Sequence, residues 1–188
     1  MKNYNYHIIL KVFLIALLFA SCEEDLNVRP QDKIAEDDFL NVTENAIQLV
    51  NGAYSKNLEY NMHGFSWVGV TSITSDDADK GSSPGDTGTD KNRLDALDFV
   101  SSSPSFDDVW KARFQGIGRA NKALFYLEKF NIDPTLKNRL IGEVKFLRAM
   151  WYFDLVKCFG GVPIVTTEID INDTATINSV VYTRKSKT

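Results

Sequence analysis

The sequence predicts an all-α fold, and three observations support this prediction. First, apolar residues from Glu36 to Tyr54 recur with the i, i+3, i+4, i+7 spacing that places them on one face of a helix. Second, two longer helical stretches, Asp107 to Phe130 and Asp133 to Cys158, are separated by a tight connection, as in an αα-hairpin. Third, the later stretch is apolar over a wide arc. Such a helix is typical of stacked helical repeats, where neighbours enclose it on at least two sides.

The chain begins with a pattern typical of a bacterial lipoprotein signal peptide, residues 1–21. Lysines precede and interrupt a short apolar run, and two small residues stand directly before Cys22. A membrane-spanning helix needs about 20 continuous apolar residues, whereas Lys11 and three acidic residues after Cys22 bound this run. We therefore predict that the mature chain begins at Cys22 and that its sulfur is acylated. The alternatives are an ordinary thiol or a membrane span, and Phe19 stands where the lipoprotein motif usually has Leu.

The composition argues against a nucleic-acid partner. The formal charge is -4, and removal of residues 1–21, which carry two lysines and no acidic residue, changes it to -6. No basic stretch is longer than residues 184–187, so no surface is predicted that would release counterions from nucleic acid. Once Cys22 is acylated, Cys158 is the remaining thiol and no internal disulfide can form. Stability must then come from packing.

The domain organisation follows from changes in composition. Residues 22–33 are polar and predict a tether between the lipid and a helical domain at residues 34–169. Residues 170–188 form a polar tail in which we expect disorder or the end of a truncated product, with no helix.

In the first half of the chain, one helix has clearly predicted bounds and the other segments do not. The helix within residues 36–54 is expected to start at Asn41 or Thr43, with Thr43 as N-cap. Residues 58–73 predict either a short helix or an extended segment. Glycine and proline breakers make residues 75–90 an exposed loop, and a loop of this length is usually either functional or disordered. The expected apolar face of the first helix is Phe39, Leu40, Ala46, Ile47, Val50, Ala53 and Tyr54.

The hairpin in the second half is predicted more sharply. Asp107 and Asp108 are expected to open its first helix, whose apolar face reads Trp110, Phe114, Ile117, Asn121, Leu124 and Leu127. Asp133-Pro134 offers a capping oxygen and a fixed φ for the second helix, which is expected to stop at Gly160-Gly161. The second helix carries one apolar stripe of Leu140, Val144, Leu147, Trp151 and Leu155, and another of Phe146, Met150 and Phe153.

Several motifs of the chain occur together in one known family. The segment from Glu143 to Val156, followed by Phe159-Gly160-Gly161-Val162-Pro163, resembles the signature helix and turn of the SusD/RagB-like lipoproteins of Bacteroidetes. The motif residues are Trp110, Asn121, Glu143, Arg148, Trp151, Gly160, Gly161 and Pro163. Further matching segments are Trp110-Lys111-Ala112-Arg113-Phe114, Gly116-Ile117, Arg119-Ala120-Asn121, Asn51-Gly52-Ala53-Tyr54, Ser75-Asp76-Asp77 and the acidic start Cys22-Glu23-Glu24-Asp25.

The resemblance implies a fold, a location and partners. Members of this family have a tetratricopeptide-like helical scaffold, are held on the cell surface by outer-membrane lipid, here through acylated Cys22, and cover TonB-dependent (SusC-like) transporters. They bind glycans or peptides for import, have no catalytic activity and require no cofactor. The resemblance covers only the N-terminal third of such proteins, so a fragment that does not fold alone, with an uncovered apolar helix face, is an open alternative.

Candidate ligand residues each have a structural alternative. Asp76 and Asp77, with Asp79, could accept sugar hydroxyls or hold a cation, although acidic residues in such loops are usually solvated. Trp67 could stack on a sugar ring, as could Tyr60, or lie in the core. Arg148 is expected to form a buried ion pair with a carboxylate such as Glu143, or else to contact ligand.

Other chemistries lack a recognisable motif. His7 lies in the leader, and His63 has no neighbouring nucleophile or acid in a catalytic pattern. No EF-hand, zinc or phosphate-loop pattern is present, so we predict no metal site. The leading hypothesis is a lipid-anchored binding protein. The alternatives are a helical scaffold that docks only to protein, a non-functional truncated fragment and an exported hydrolase.

Overall fold

The computed structural model describes residues 36–81, 83, 85, 86, 88–169 and 172–181. The chain divides into two compact units, Met1–Asp38 and Phe39–Thr188. Of the first unit the structure describes Glu36–Asp38 alone, which begin a short helix. The predicted signal peptide, Cys22 and the 22–33 tether lie outside the described residues.

The regular elements of the described residues are helical, which confirms the predicted all-α fold. The α-helices are α1 (Glu36–Leu40), α2 (Thr43–Tyr54), α3 (Tyr60–His63), α4 (Phe65–Val68), α5 (Thr89–Asp95), α6 (Pro104–Lys129), α7 (Pro134–Phe159) and α8 (Thr174–Val181). A 3-10 turn, Ser55–Leu58, follows α2, and a π-helical turn, Gly69–Ile73, follows α4.

Helix α2 buries most, but not all, of its predicted apolar face. Its first residue is Thr43, while Val42 occupies the N-cap position with an extended backbone and no side-chain capping bond. The prediction of Thr43 as N-cap is therefore wrong by one residue. The Asn45 amide instead fastens the turn by donating to the Phe39 carbonyl at 3.0 Å. Tyr54, expected on the buried face, is 39% exposed because it lies at the end of the helix, beyond the buried row that ends at Ala53.

The segment between α2 and α6 is a series of short helical turns. Residues 58–73 adopt the helical alternative, broken at Glu59 and Gly64 by extended backbone. Helix α5 was not predicted, because its sequence follows directly on a breaker-rich loop. Its Leu94 is fully buried and packs against Gly69, where an added Cβ would lie 3.0 Å from the Leu94 methyl. Gly69 is thus needed for this close approach.

Helices α6 and α7 form the predicted hairpin, and they pack together along their length. Helix α6 begins at Pro104, three residues before Asp107, because proline suits the first helical position after Ser103. Helix α7 begins as predicted, with the Asp133 carboxylate accepting the Leu136 amide at 2.9 Å. It ends at Gly160, whose φ of +75° is readily adopted only by glycine.

The two apolar stripes of α7 have different environments. The stripe of Leu140, Val144, Leu147, Trp151 and Leu155 is buried, as predicted. The expected enclosure of the second stripe is wrong for this chain, because Phe146 is 68% exposed and Phe153 is 63% exposed. Helices α2 and α6 both pack on the first stripe. One side of α7 is therefore covered and the other faces solvent.

The last described element is helix α8. It lies inside the 170–188 segment, for which no helix was expected, and the observed helix corrects that expectation for residues 174–181. Its first turn is closed by the Ile177 amide, which donates to the Asp173 carbonyl at 3.0 Å. Across the described part of the chain, no helix combines the length and apolarity needed to cross a bilayer.

Candidate functional site

An open cavity of about 540 Å³ lies between the π-helical turn, the α5–α6 connection and the end of α7. Its size falls in the range of about 300 to 1,000 Å³ that small-molecule sites occupy. Phe99 and Phe106 form an edge-to-face pair in its wall, with ring centroids 5.3 Å apart. The lining residues are Val70, Thr71, Thr74, Leu97, Phe99, Phe106, Lys157 and Cys158. The cavity therefore combines aromatic rings, hydroxyls and one cation.

Leu97 reaches this cavity from a strained backbone position. It follows α5 with a φ of +55°. Among the described residues, Leu97 is the one non-glycine residue whose backbone is in the left-handed region. Its amide donates to the Leu94 carbonyl at 3.1 Å, and the Asp98 amide donates to the Arg93 carbonyl at 2.8 Å. These bonds form a Schellman motif, in which glycine is usual at the position of Leu97. The leucine side chain lines the cavity at the cost of this strain.

The polar groups of the cavity are partly committed to internal bonds. The Thr71 hydroxyl donates to the Trp67 carbonyl and the Thr74 hydroxyl donates to the Val70 carbonyl, both at 2.8 Å. Each hydroxyl oxygen can still accept a hydrogen bond. Burial raises the pKa of the Cys158 thiol, which favours the neutral form. Cys158 thus acts as wall of the cavity and is a poor nucleophile at neutral pH.

A cluster of Trp67, Arg113, Asp154 and Lys157, here called the Arg113 cluster, lies beside the cavity. The Arg113 guanidinium is fully buried, with Nη2 3.2 Å from the Asp154 carboxylate. Burial lowers the pKa of Arg113, and Asp154 opposes that shift. The Lys157 ammonium lies 3.3 Å from the same carboxylate. Two cations share one carboxylate, so the cluster carries a net positive charge.

Trp67 belongs to this cluster and is half-buried. The Arg113 guanidinium carbon lies 3.9 Å from the ring centroid, and Lys157 approaches the ring at 5.6 Å. His63 contacts the ring edge, with centroids 6.4 Å apart. The Arg113 guanidinium therefore covers a face of the Trp67 ring. Lys157, which also approaches this ring, lines the cavity.

Asp76 and Asp77 lie on the exposed loop that leaves the cavity edge at Thr74. The Asp77 amide donates to the Ser75 hydroxyl at 3.3 Å, which fixes the local turn. The structure places neither carboxylate in the cavity lining nor beside Trp67. Among the described residues, no group of three or more histidines, cysteines and acidic residues is arranged to hold a metal.

Arg148 does not form the predicted ion pair. Its guanidinium donates to the Asn121 side-chain oxygen and to the Thr166 carbonyl, both at 2.8 Å, while Glu143 pairs with Arg139 at 3.3 Å. The Asn121 amide in turn donates to the carbonyls of Val165 and Thr167, both at 3.0 Å. These bonds hold the chain that follows α7 against the hairpin. Arg148 thus has a positioning role that needs no carboxylate.

The remaining motif residues also support the hairpin. The buried Trp151 indole donates to the Asn57 side-chain oxygen at 2.9 Å. Gly116 is required opposite it, because an added Cβ would lie 2.9 Å from the Trp151 ring. Trp110 packs edge-on against Phe159, with centroids 5.1 Å apart, just before the Gly160-Gly161 turn. Pro163 is half-buried beside the fully covered Val162.

Sequence reasoning missed the buried pair of Arg113 and Asp154, which lie 41 residues apart on α6 and α7. Arg113 lies in the matching segment 110–114 and Asp154 in the signature segment 143–156, but neither segment by itself indicates that the two charges pair. One signal was available: both charges fall among the apolar positions of two helices that were predicted to pack together. A buried charge requires a partner, so each could have been assigned to the other.

Comparisons with known proteins agree on one family. The SusD-like family described as "Starch-binding associating with outer membrane" matches residues 26–185. SusD-like protein P2 of Formosa agariphila is 25% identical over 93% of this chain, and SusD-like protein P38 of the same organism is 28% identical over 93%. This chain spans about a third of the length of these relatives, 34% of each.

Solved structures give the same result. A SusD superfamily protein from Parabacteroides distasonis is 28% identical and aligns with a TM-score of 0.54 over 72% of this chain and 28% of its own. A SusD-like protein from Bacteroides fragilis is 25% identical, with a TM-score of 0.55 over 78% of this chain and 27% of its own. The family match extends over most of the chain and accords with its helical fold. The chain therefore belongs to the SusD-like family.

Proposed function

We propose that this chain is the anchor and part of the scaffold of an outer-membrane protein that captures oligosaccharides for a TonB-dependent, SusC-like transporter. The family description, starch binding in association with the outer membrane, supports the general role. The observation that carries the proposal is the open 540 Å³ cavity with aromatic and hydroxyl lining. Capture is non-covalent and needs no catalytic group.

The cavity chemistry suits a sugar. A pyranose ring has apolar C–H faces that pack on aromatic rings, and Phe99 is 41% exposed at this wall. Its hydroxyls can donate to the oxygens of Thr71 and Thr74 and accept from the Lys157 ammonium. Few directional polar groups on an apolar wall are typical of ligand sites. A short peptide is the alternative ligand, since its backbone could use the same acceptors and donor.

Three predicted ligand residues have secondary roles in this proposal. Asp76 and Asp77 would accept sugar hydroxyls that extend beyond the cavity edge at Thr74. Trp67 would act through Lys157, whose ammonium it contacts, because Arg113 already occupies a face of the ring. These assignments depend on ligand reaching past the cavity.

Isothermal titration with Phe99→Ala tests the proposal. We expect the parent protein to release heat with at least one member of a panel of starch-derived and other oligosaccharides, and Phe99→Ala to weaken that affinity about tenfold. Phe125→Ala is the matched control, because Phe125 is 46% exposed and does not line the cavity. An equal loss of affinity in both variants would show that the cavity is not the binding site. If peptides bind and no glycan releases heat, the ligand is a peptide and not an oligosaccharide.

Phase partition of Cys22→Ala tests the proposed anchor. Two or three acyl chains, with about 0.8 kcal/mol for each buried methylene, hold a protein at a membrane almost irreversibly. We expect the parent protein in the detergent phase after Triton X-114 separation and the variant in the aqueous phase. The variant remaining with detergent would show that Cys22 is not the anchor.

A second function, docking to protein without a small ligand, is favoured by the exposed stripe on α7. It predicts no heat from any glycan or peptide of the panel. Hydrolysis, the third alternative, would be revealed by glycoside turnover in the same samples.

A further inference from the structure

One face of α6, near the end of the helix, combines aromatic and basic side chains. Its residues, which have the i, i+3, i+4, i+7 spacing of a helix face and are here called the basic aromatic patch, are Lys122, Phe125, Tyr126 and Lys129. Phe125 is 46% exposed, and both lysines are exposed. The two rings meet edge to face, with centroids 5.3 Å apart, and the Lys129 ammonium lies 4.3 Å from the Phe125 centroid. Glu128, the acidic residue of this turn, lies about 100° around the helix from Lys129. The patch therefore presents apolar rings beside cations.

The patch lies at the end of the hairpin where the chain enters this compact unit. The Phe39 ring packs against Phe130, directly after the patch, with centroids 5.4 Å apart. The Asn131 amide donates to the Leu40 carbonyl at 3.2 Å. The Lys137 ammonium donates to the Phe130 carbonyl at 3.1 Å, which holds the α6–α7 turn in place. The patch and the point of chain entry are thus fixed to the same end of the hairpin.

The proposed acyl anchor at Cys22 precedes this entry point by a limited length of chain. A chain spans at most about 3.6 Å per residue, so Cys22 and Phe39 can be no more than about 60 Å apart. Helix α7 has 26 residues and extends about 39 Å away from the α6–α7 turn. An anchored chain is therefore held by the end of the hairpin that carries the patch. Anchoring also raises the concentration of the patch at the membrane to about the millimolar range, so a weak contact is sufficient.

We propose that the basic aromatic patch contacts the surface of the membrane that holds the anchor. Phe125 and the edge of Tyr126 enter the boundary between headgroups and acyl chains, and Lys122 and Lys129 bind lipid phosphates. Aromatic rings favour this boundary, and the aliphatic stem of lysine can lie beside them while its ammonium reaches a phosphate. The contact sets the orientation of the hairpin on the membrane. This inference rests on the proposed lipid anchor and does not depend on glycan capture.

Helix α7 carries a chemically matched pair far from the α6–α7 turn. The Lys157 ammonium lies 4.7 Å from the centroid of Phe153, which is 63% exposed. Phe153 lies about 28 Å along α7 from Pro134, whereas Phe125 lies about 6 Å from the end of α6 at Lys129. The two pairs thus differ in their distance from the point of chain entry. The proposal assigns the membrane contact to the pair in α6.

Quenching of tryptophan fluorescence by brominated lipid tests the contact. The lipidated protein with Phe125→Trp or Phe153→Trp is reconstituted on vesicles of phosphatidylethanolamine and phosphatidylglycerol that carry bromine on the upper acyl-chain carbons. The signal of the three native tryptophans, measured in the parent protein, is subtracted. Both replaced side chains are exposed, so the fold should be kept, which circular dichroism can verify. We expect at least about threefold stronger quenching in Phe125→Trp. Equal or weaker quenching than in Phe153→Trp would overturn the proposal.

Flotation of the same vesicles separates this inference from the proposed anchor. Protein that floats with the vesicles but lacks selective quenching in Phe125→Trp would leave the anchor in place and overturn the patch contact. Protein that does not float would overturn both, because the patch contact depends on the anchor. Dimerisation of the parent protein that Phe125→Ser abolishes would assign the patch to a second copy of the chain and overturn the lipid partner.

The variant Lys122→Ser/Lys129→Ser, made in the Phe125→Trp background, tests the binding of phosphate. We expect quenching to fall about twofold on the phospholipid vesicles, and to be unaffected by the substitutions on vesicles of phosphate-free galactolipid. Lys145→Ser is the control, because Lys145 is exposed on α7 outside the patch, and its quenching should match that of the background protein. Unchanged quenching in the double variant on phospholipid would overturn the assignment of the lysines to lipid phosphates.

Discussion

The two sides of helix α7 are similar in composition but differ in their environment. One side buries Val144, Trp151 and Leu155 completely against α2 and α6. The other exposes Phe146 and Phe153 by 68% and 63%. The sequence of the helix does not separate them, because both carry large apolar residues at helical spacing. One side of α7 therefore stabilises the fold of this chain, while the other faces solvent.

Among the variants of α7, Trp151→Ala is expected to have the largest effect on stability. The variant would leave a cavity opposite Gly116 and remove the indole that donates to Asn57. We expect the free energy of unfolding to fall by about 3 to 5 kcal/mol, measured by urea denaturation. That loss is a large share of a typical stability of about 5 to 15 kcal/mol. A denaturation curve that overlays the parent curve would contradict the buried assignment.

Asp154→Asn tests the buried ion pair between Asp154 and Arg113. It removes the carboxylate that the fully buried Arg113 guanidinium requires, so we expect unfolding free energy to fall by about 3 kcal/mol in the same denaturation assay. The matched control is Asp107→Asn, whose pair with Lys111 at 2.6 Å is exposed on both sides. That variant should lose less than about 1 kcal/mol. Equal losses would mean that burial does not set the strength of the pair.

Leu97→Gly has a small expected effect on stability, and its sign is opposite to that of the two variants above. Glycine adopts a φ of +55° without the cost of about 1 kcal/mol that leucine incurs, so thermal denaturation should show an unchanged or slightly higher Tm. The same variant removes part of the cavity wall, so glycan affinity by titration should fall. A variant that is less stable and binds normally would show that Leu97 supports the fold and not the cavity.

Much of the fold could be predicted, because local signals and tertiary packing agree. Asp133-Pro134 and Gly160 bound α7 as their capping chemistry requires, and the stripe through Trp151 is buried. Helix α5 was missed because its seven residues have no clear apolar period, and its place depends on Leu94 meeting the distant Gly69. Such a contact cannot be seen in local sequence.

The candidate site was less predictable than the fold. The cavity wall combines residues from three separate segments, among them Thr74, Phe99 and Lys157, and no short motif connects them. Asp76 and Asp77 stood out because carboxylates in a loop are conspicuous, yet the structure places them outside the cavity lining. For Arg148 the sequence indicated a carboxylate partner, but an amide oxygen and a backbone carbonyl accept the hydrogen bonds of the guanidinium instead.

Urea denaturation of Trp151→Ala and Phe153→Ala side by side tests our claim that only one side of α7 stabilises the fold. We expect Phe153→Ala to stay within about 0.5 kcal/mol of the parent protein and Trp151→Ala to lose at least about 3 kcal/mol. Equal losses in the two variants would contradict the claim, because both sides would then stabilise this chain.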